Sequence, residues 1–319
     1  MHQLPDEALL LYNFERPRAE LIRHNENATF KIIDDIDEKT YVLRIHKPAD
    51  GFSPDILHQG KDKKLLVASE MNILSNLAAI QGISIQQPIP NRNGSFTTTL
   101  SDGSYATVLS WVDGNIVSEK ESSENTFREI GRTIAVMHSF FAENEFYRFS
   151  YDQQLLPYIA ENMCLSAKAN AITNQQLQTA LSAIEEMCRR FNKLDQTGLR
   201  KHIVHSDLSK SNIIHNNGII TPIDFSLCGY SHFYLDIASL FGHFEDENNR
   251  CSLLEGYKSI HKHEIDAYFI EPYCVLESLM FFACQYERAS GWDWWNEVWE
   301  KCLEKELEPL INNIQFIRL

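Results

Sequence analysis

The stretch Ile203-Val-His-Ser-Asp-Leu-Ser-Lys-Ser-Asn-Ile-Ile-His-Asn-Asn-Gly-Ile-Ile-Thr-Pro-Ile-Asp-Phe-Ser226 decides the fold. An apolar pair, Ile203-Val204, runs into a polar loop that holds His205, Asp207 and Asn212. A second apolar pair, Ile213-Ile214, leads to a turn at Asn216-Asn217-Gly218 and then to an apolar run ending in Asp224-Phe225. Asn-Gly between two short apolar runs is a strong hairpin signal. A hairpin here brings the loop before its first strand close to the residue after its second, so Asp207, Asn212 and Asp224 are expected to converge. One carboxylate can then accept a proton from a hydroxyl, while the other, with the amide, offers hard oxygen ligands to magnesium. That set suits phosphoryl transfer from a nucleotide, where positioning and charge neutralisation do most of the work. Singly, each residue reads as a solvated loop or a helix cap; their joint spacing carries the argument.

Outward from this block the chain has two textures. Up to about residue 112 it is rich in strand-like alternation. Thr29 to Asp34 and Thr40 to His46 form one expected hairpin across the polar turn Asp34 to Lys39, and Ser95 to Leu100 and Tyr105 to Trp111 are two further expected strands. Pro48 to Lys64 reads as a loop insertion, and Leu65 to Ile80 has helical spacing of apolar residues, closed by Gly82. After Asp113-Gly114, Phe127 to Phe141 predicts an amphipathic helix, helical patterns fill 152 to 193, and the chain from Phe233 onward reads as helices. The expectation is an α+β chain in two parts: residues 1–112 as a small antiparallel-sheet lobe, residues 113–319 as a larger, mainly helical lobe, and a hinge at 110–114.

Composition narrows the function. Over 319 residues, 29 Lys and Arg stand against 44 Asp and Glu, a net charge of −15. Phosphate contacts need clustered cations, so this balance disfavours a general nucleic-acid binder and an anionic membrane surface. It suits a cationic substrate and mere solubility equally well. The seven cysteines contain no CxxC pair, and are read as reduced core residues of a cytoplasmic protein. The N-terminal residues lack a basic region with a long apolar run, so no signal peptide is expected. Phe269 to Tyr286 is apolar but carries Glu271, Pro272 and Glu277, which reads as a buried helix.

His205-x-Asp207-x-x-x-x-Asn212 followed by Asp224-Phe225 resembles the catalytic loop and magnesium motif of the protein-kinase-like fold, in the form found in the aminoglycoside phosphotransferase and choline kinase family. Tyr234-Leu-Asp236-Ile-Ala is similar to that family's Asp-Leu-Ala signature. The resemblance implies a bilobal kinase-like fold, with ATP (or GTP, which no side chain here separates) and Mg2+ as cofactors. It implies Asp207 as catalytic base, Asn212 and Asp224 as metal ligands, His205 as a brace of the loop, and Asp236 as a support behind it. Arg44, in Tyr41-Val-Leu-Arg44-Ile, falls where the family's phosphate-binding Lys stands, and Glu70 is its expected ion-pair partner. Ser110 to Val112 falls at the hinge, whose backbone can pair with a nucleobase. Asn25 to Thr29 lies where a loop covers the phosphates, and it lacks GxGxxG.

Two departures favour a small hydroxyl substrate over a protein. Ser209 stands where protein kinases carry Lys, with Lys210 one place on, and only twelve residues separate Asp224 from Asp236, too few for a long regulatory segment. The alternatives are a Ser/Thr protein kinase of the same fold and a nucleotide-binding pseudokinase. Gly291 to Trp299 holds four of the five tryptophans, which reads as packing or as an aromatic site for an ammonium group. Glu277, Glu287 and Asp293 read as solvated acids or as contacts for a cationic acceptor. His261-Lys-His263 reads as surface. Monomer and dimer are equally allowed.

Overall fold

The computed structural model describes residues 3–36 and 38–319. Residue 37, in the turn expected after Asp34, lies outside the described residues. The N-terminal part contains α1 (Leu4–Leu9), β1 (Pro17–His24), β2 (Ala28–Asp34), β3 (Thr40–Ile45), α2 (Asp55–His58), α3 (Lys63–Leu77), β4 (Pro88–Ile89), β5 (Thr98–Thr99) and β6 (Tyr105–Ser110). Its sheet is antiparallel with order β1-β2-β3-β6-β4, and β5 also pairs with β6. Strict alternation of buried and half-buried residues along β2 matches its Phe30, Ile32 and Asp34 side. The strand expected over Ser95 to Leu100 shrinks to Thr98–Thr99. Asn91 takes over the loop before it, its side-chain oxygen accepting the amides of Asn93 and Ser95. The expected loop insertion carries the short helix α2. Asp62 caps α3, accepting the Leu65 amide at 2.9 Å, so the helix starts two residues before the apolar pattern does.

The second part contains β7 (Asn115–Ile116), α4 (Glu124–Glu143), α5 (Leu156–Lys168), α6 (Asn174–Asp195), β8 (His202–Val204), β9 (Ile213–Asn216), β10 (Ile219–Pro222), β11 (Gly229–Ser231), α7 (Tyr234–His243), α8 (Glu247–Lys258), α9 (Ala267–Ala289) and α10 (Trp295–Cys302). Antiparallel sheet plus helical lobe is the bilobal α+β arrangement expected. The large apolar core is continuous from Met71 and Leu74 of α3 into Ile134, Phe191, Leu240 and Leu279 of the helical part. A smaller cluster, with Leu43, Ile45 and Val108, fills the other face of the sheet under α1.

Two features of this part position the site. The β9–β10 hairpin closes on Asn217 and Gly218 at φ 49° and 84°, the left-handed pair that a two-residue type I′ turn requires. Helices α4 and α8 cross closely at two glycines: a Cβ on Gly131 would stand 1.9 Å from the Leu253 carbonyl oxygen, and one on Gly256 would stand 1.9 Å from that of Arg128. That approach sets His138 of α4 against Tyr257 of α8, directly behind the loop read first. Helix α9 alone among the described residues is long and apolar enough to cross a membrane, and it runs through the core against α5, α6 and α7.

Candidate active site

The polar loop between β8 and β9 is built from behind. Asp236, fully buried at the start of α7, accepts the main-chain amides of His205 at 2.9 Å and Ser206 at 2.7 Å. It also accepts from His138 Nε2 at 2.8 Å, and the Tyr257 hydroxyl donates to His138 Nδ1 at 2.9 Å. Ser206 sits at φ 61°, a conformation costly for a non-glycine residue, and these bonds hold it there. Burial would raise the Asp236 carboxyl, but the hydrogen bonds from His138 and from the His205 amide outweigh it and keep it below its ordinary value. His205 stays neutral: burial lowers it, its Nε2 donates to the Ile223 carbonyl at 3.1 Å, and its ring packs on Phe225. His205 and Asp236 thus stand where a brace and a support were expected.

The loop delivers Asp207 next to Asn212, whose side-chain nitrogen donates to the Asp207 carboxylate at 2.7 Å and to its carbonyl at 2.9 Å. Both amide hydrogens of Asn212 are spent on Asp207, so its Oδ1 remains free as a hard oxygen. The Asn212 carbonyl in turn accepts from Ile223, the residue before Asp224, so the hairpin draws the three residues together. Asp224 is buried at φ 69° and ψ 70°. One carboxylate oxygen accepts from Arg44 at 3.0 Å and from the Ser226 hydroxyl at 2.8 Å, and the other accepts from Arg23 at 3.1 Å. Arg44 is itself buried and pairs with Glu70 at 2.7 Å, the partner expected. Burial pushes Asp224 up, but Arg44 and Arg23 outweigh it. On Asp207 the charge of Arg23 is outweighed: burial, and then the carboxylates of Glu26 and Asp224, push it well above the usual range.

Hard oxygens on Asn212 and Asp224, beside a buried guanidinium, fit a divalent cation carrying nucleotide phosphates. At the hinge the two candidates differ. The Ser110 amide donates to Gln87 at 2.8 Å and its carbonyl accepts from Gln86, whereas the Val112 peptide groups have no hydrogen-bond partner among the described residues. Lys210 is engaged elsewhere, with Glu119 at 3.3 Å.

A cavity of about 540 Å³ opens from Asp207 and Asn212 into the helical part, walled by Glu277, Phe281, Val298 and Glu306. Burial pushes both glutamates up, Glu277 well above its ordinary value. Glu306 accepts from the Ser278 hydroxyl at 2.6 Å. Glu287 and Asp293 do not line this cavity. Nor do the tryptophans: Trp295 and Trp299 are fully buried, Trp295 donating to the Ala171 carbonyl and Trp299 stacked on Phe282 at 4.1 Å. His261 Nε2 donates to the Ala135 carbonyl at 3.0 Å, and no group of three metal-binding side chains occurs among the described residues.

Four functional neighbours escaped the sequence reading. Arg148 donates to the carbonyls of Leu66, Ser226 and Cys228 and so pins the segment after Asp224 to α3. Arg23 and Glu26 reach Asp224 and Ser226 across about two hundred residues of sequence. His138 appears in sequence only as one polar position on an amphipathic helix.

Fold and site together define a kinase-like phosphotransferase. The model of the phosphotransferase enzyme family matches residues 18–266, and the chain belongs to that family. Amicoumacin kinase of Bacillus subtilis (strain 168) is 28% identical over 251 residues, which cover 75% of this chain and 66% of that protein, just under two thirds of its length. Among solved structures, an amicoumacin kinase in complex with AMP-PNP, Ca2+ and Ami superposes with a TM-score of 0.73 at 19% identity, over 99% of this chain and 94% of that one. A microcompartment-associated aminopropanol kinase gives 0.76 at 19%, over 98% of each chain. The Plasmodium vivax ethanolamine kinase gives 0.63 at 14%, over 96% and 86%.

Proposed function

We propose that this chain moves the γ-phosphoryl group of ATP to a hydroxyl of a small, amine-bearing acceptor. Residues 1–112 then serve as the nucleotide lobe and 113–319 as the acceptor lobe. Asp207 accepts the hydroxyl proton, Asn212 and Asp224 hold Mg2+, Arg44 meets phosphate oxygens while Glu70 fixes its direction, and the Ser110–Val112 hinge meets the base, with Val112 providing the free peptide groups. A divalent cation held there supplies charge neutralisation at the phosphates. The observation that carries the reading is the acceptor cavity: it shares Asp207 and Asn212 with the phosphate site, and its far wall carries Glu277 and Glu306. A carboxylate that is expensive to bury alone becomes favourable when an ammonium enters beside it. Two of the structural neighbours are kinases of amino alcohols, which fits that wall. Seven unpaired cysteines fit a reducing, cytoplasmic setting.

The test is ATP consumption, coupled to NADH oxidation, over a panel of amino alcohols, amino sugars, amicoumacin-like amines and their amine-free analogues, with Mg2+ and with ATP or GTP. Turnover is expected for amine-bearing hydroxyl compounds. Turnover of neutral sugars only would reject the acceptor class, and Asp207→Ala retaining turnover would reject the base.

A further inference from the structure

The loop between β1 and β2 leans over Asp224 and Ser226, where the kinase reading places the nucleotide phosphates, and it carries an acid. Glu26 reaches from that loop to the Ser226 hydroxyl at 2.5 Å, and the same hydroxyl lies 2.8 Å from Asp224. Its carboxylate is among the main charges felt by Asp207, ahead of Asp224 itself. Glu26 therefore shares the Ser226 hydroxyl with Asp224 and lines the same cavity as Asp207 and Asn212. The loop is held in that position from three sides. Arg23 pairs with Asp224, Arg288 of α9 donates to the Asn25 side chain at 3.0 Å, and the Ala49 amide donates to the Asn25 carbonyl at 2.6 Å.

Charge at this point is unbalanced. Asp207, Asp224 and Glu26 face Arg23 and Arg44, three carboxyls to two guanidiniums, while Glu70 lies between Arg44 and Arg148. Burial above all, and then the charge of Asp224, push Glu26 up to about 7, so its carboxylate is fully formed only above that pH. A nucleotide phosphate entering here meets the same carboxyls.

We propose that Glu26 is an anionic gate: it fills the seat of the transferred phosphoryl group when no nucleotide is bound, and it makes nucleotide binding depend on a divalent cation. This rests on the kinase reading above. The argument is electrostatic. Metal-free ATP carries up to four negative charges, and to reach Arg44 its phosphates must pass Glu26 and settle beside three carboxyls. With the cation bound, the incoming complex has lost two of those charges and brings its own counter-ion to Asp224 and Asn212. Glu26 thus opposes the bare nucleotide far more than the metal complex. It contributes a specificity for the metal-bound substrate that Asp224 alone cannot give, because Asp224 already has both arginines.

The test is direct binding, by titration calorimetry at pH 8.5, of ATP in EDTA and of ATP with excess Mg2+, to the intact wild-type chain, to Glu26→Gln and to Glu26→Asp. Glu26→Gln is expected to tighten metal-free ATP by about tenfold or more, the scale of one removed like-charge neighbour. It should change the Mg2+-loaded value less than about threefold. Glu26→Asp, keeping the charge, should retain most of the wild-type metal dependence. An unchanged metal-free affinity in Glu26→Gln overturns the gate, and so does a weakened Mg2+-ATP affinity, which would make Glu26 a metal ligand instead. A melting temperature for each variant guards against misfolding, and Glu26→Asp reports if Glu26→Gln does not fold. Wild-type chain that binds no nucleotide in Mg2+ overturns the kinase reading, a result distinct from either outcome for the gate.

Discussion

Asp236→Ala tests the claim that the catalytic loop is held from behind. The carboxylate has three partners: the His205 amide at 2.9 Å, the Ser206 amide at 2.7 Å and His138 Nε2 at 2.8 Å. Alanine leaves two buried amides without an acceptor, at about 1–3 kcal/mol each. Part of that loss is recovered as Ser206 leaves its left-handed conformation, whose cost is about 1–3 kcal/mol. The net expectation is a stability loss of about 3–5 kcal/mol, as for breaking a buried charged pair. Relaxation of Ser206 also carries Asp207 away, and a displacement near 1 Å costs about a hundredfold in turnover. Asp236→Asn retains one acceptor oxygen but turns an amide N–H₂ toward a donor, so it should lose about half as much stability, roughly 2 kcal/mol. His138→Phe leaves both main-chain bonds intact and should cost least. Urea unfolding at constant m gives the stability series, and the coupled assay with an active acceptor gives turnover. A loss below 1 kcal/mol for Asp236→Ala, or undiminished turnover in it, would refute the reasoning.

Three further perturbations probe other parts. Arg44→Met should destabilise by about 3–5 kcal/mol, because Glu70 and Asp224 lose their buried cation, while Arg44→Lys should cost less and mainly weaken nucleotide binding; chemical denaturation and calorimetry separate the two. Glu277 has a folded-state pKa above its unfolded value of about 4.3, so the folded chain holds the extra proton and its stability contribution is lost as pH rises from there through the folded value. Glu277→Gln should therefore raise the melting temperature at pH 8 relative to wild type with little effect at pH 4.5, and raise KM for amine-bearing acceptors; a lower melting temperature at pH 8 would count against it. Gly256→Ala forces a methyl to within 1.9 Å of the Arg128 carbonyl, so α8 must move off α4 at a cost of about 3 kcal/mol or more, read by thermal unfolding.

Legibility in the sequence follows how local each feature is. His205, Asp207, Asn212 and Asp224 sit within one hairpin, and an Asn-Gly turn encodes their convergence through backbone geometry alone. Strand β2 shows its burial as alternation and is easily found. Strand β1, Pro17–His24, does not, because it is an edge strand with most of its side chains exposed, and Arg23 was hidden with it. Arg23, Glu26 and Arg148 take their roles from lobe closure and from loops that meet only in three dimensions, where no local spacing records the partner. His138 was hidden differently. Its helix shows a clear amphipathic pattern, and a histidine on such a face carries no sign that its two ring nitrogens will connect Tyr257 to Asp236.

The net charge of −15 can now be placed. Read from composition, it fitted a cationic acceptor and plain solubility equally. In the fold, part of it is concentrated where chemistry is expected, with Asp207, Asp224 and Glu26 at the phosphate seat, whereas on the acceptor wall Glu277 and Glu306 are accompanied by Lys301 and Lys305. Only Arg23 and Arg44 oppose the first group. Such a site is costly when empty, since burial raises the carboxyls of Asp207, Glu26, Glu277 and Glu306 above their ordinary values. On the proposed reading, a divalent ion beside Asp224 and Asn212 would offset that cost at the phosphate seat, and an ammonium would offset it at Glu277 and Glu306. An amine whose charge also eased the ionisation of Asp207 would matter to the chemical step as well as to affinity. An amine-free analogue of a good acceptor should accordingly lose kcat along with KM, whereas loss in KM alone would assign the glutamates to binding only.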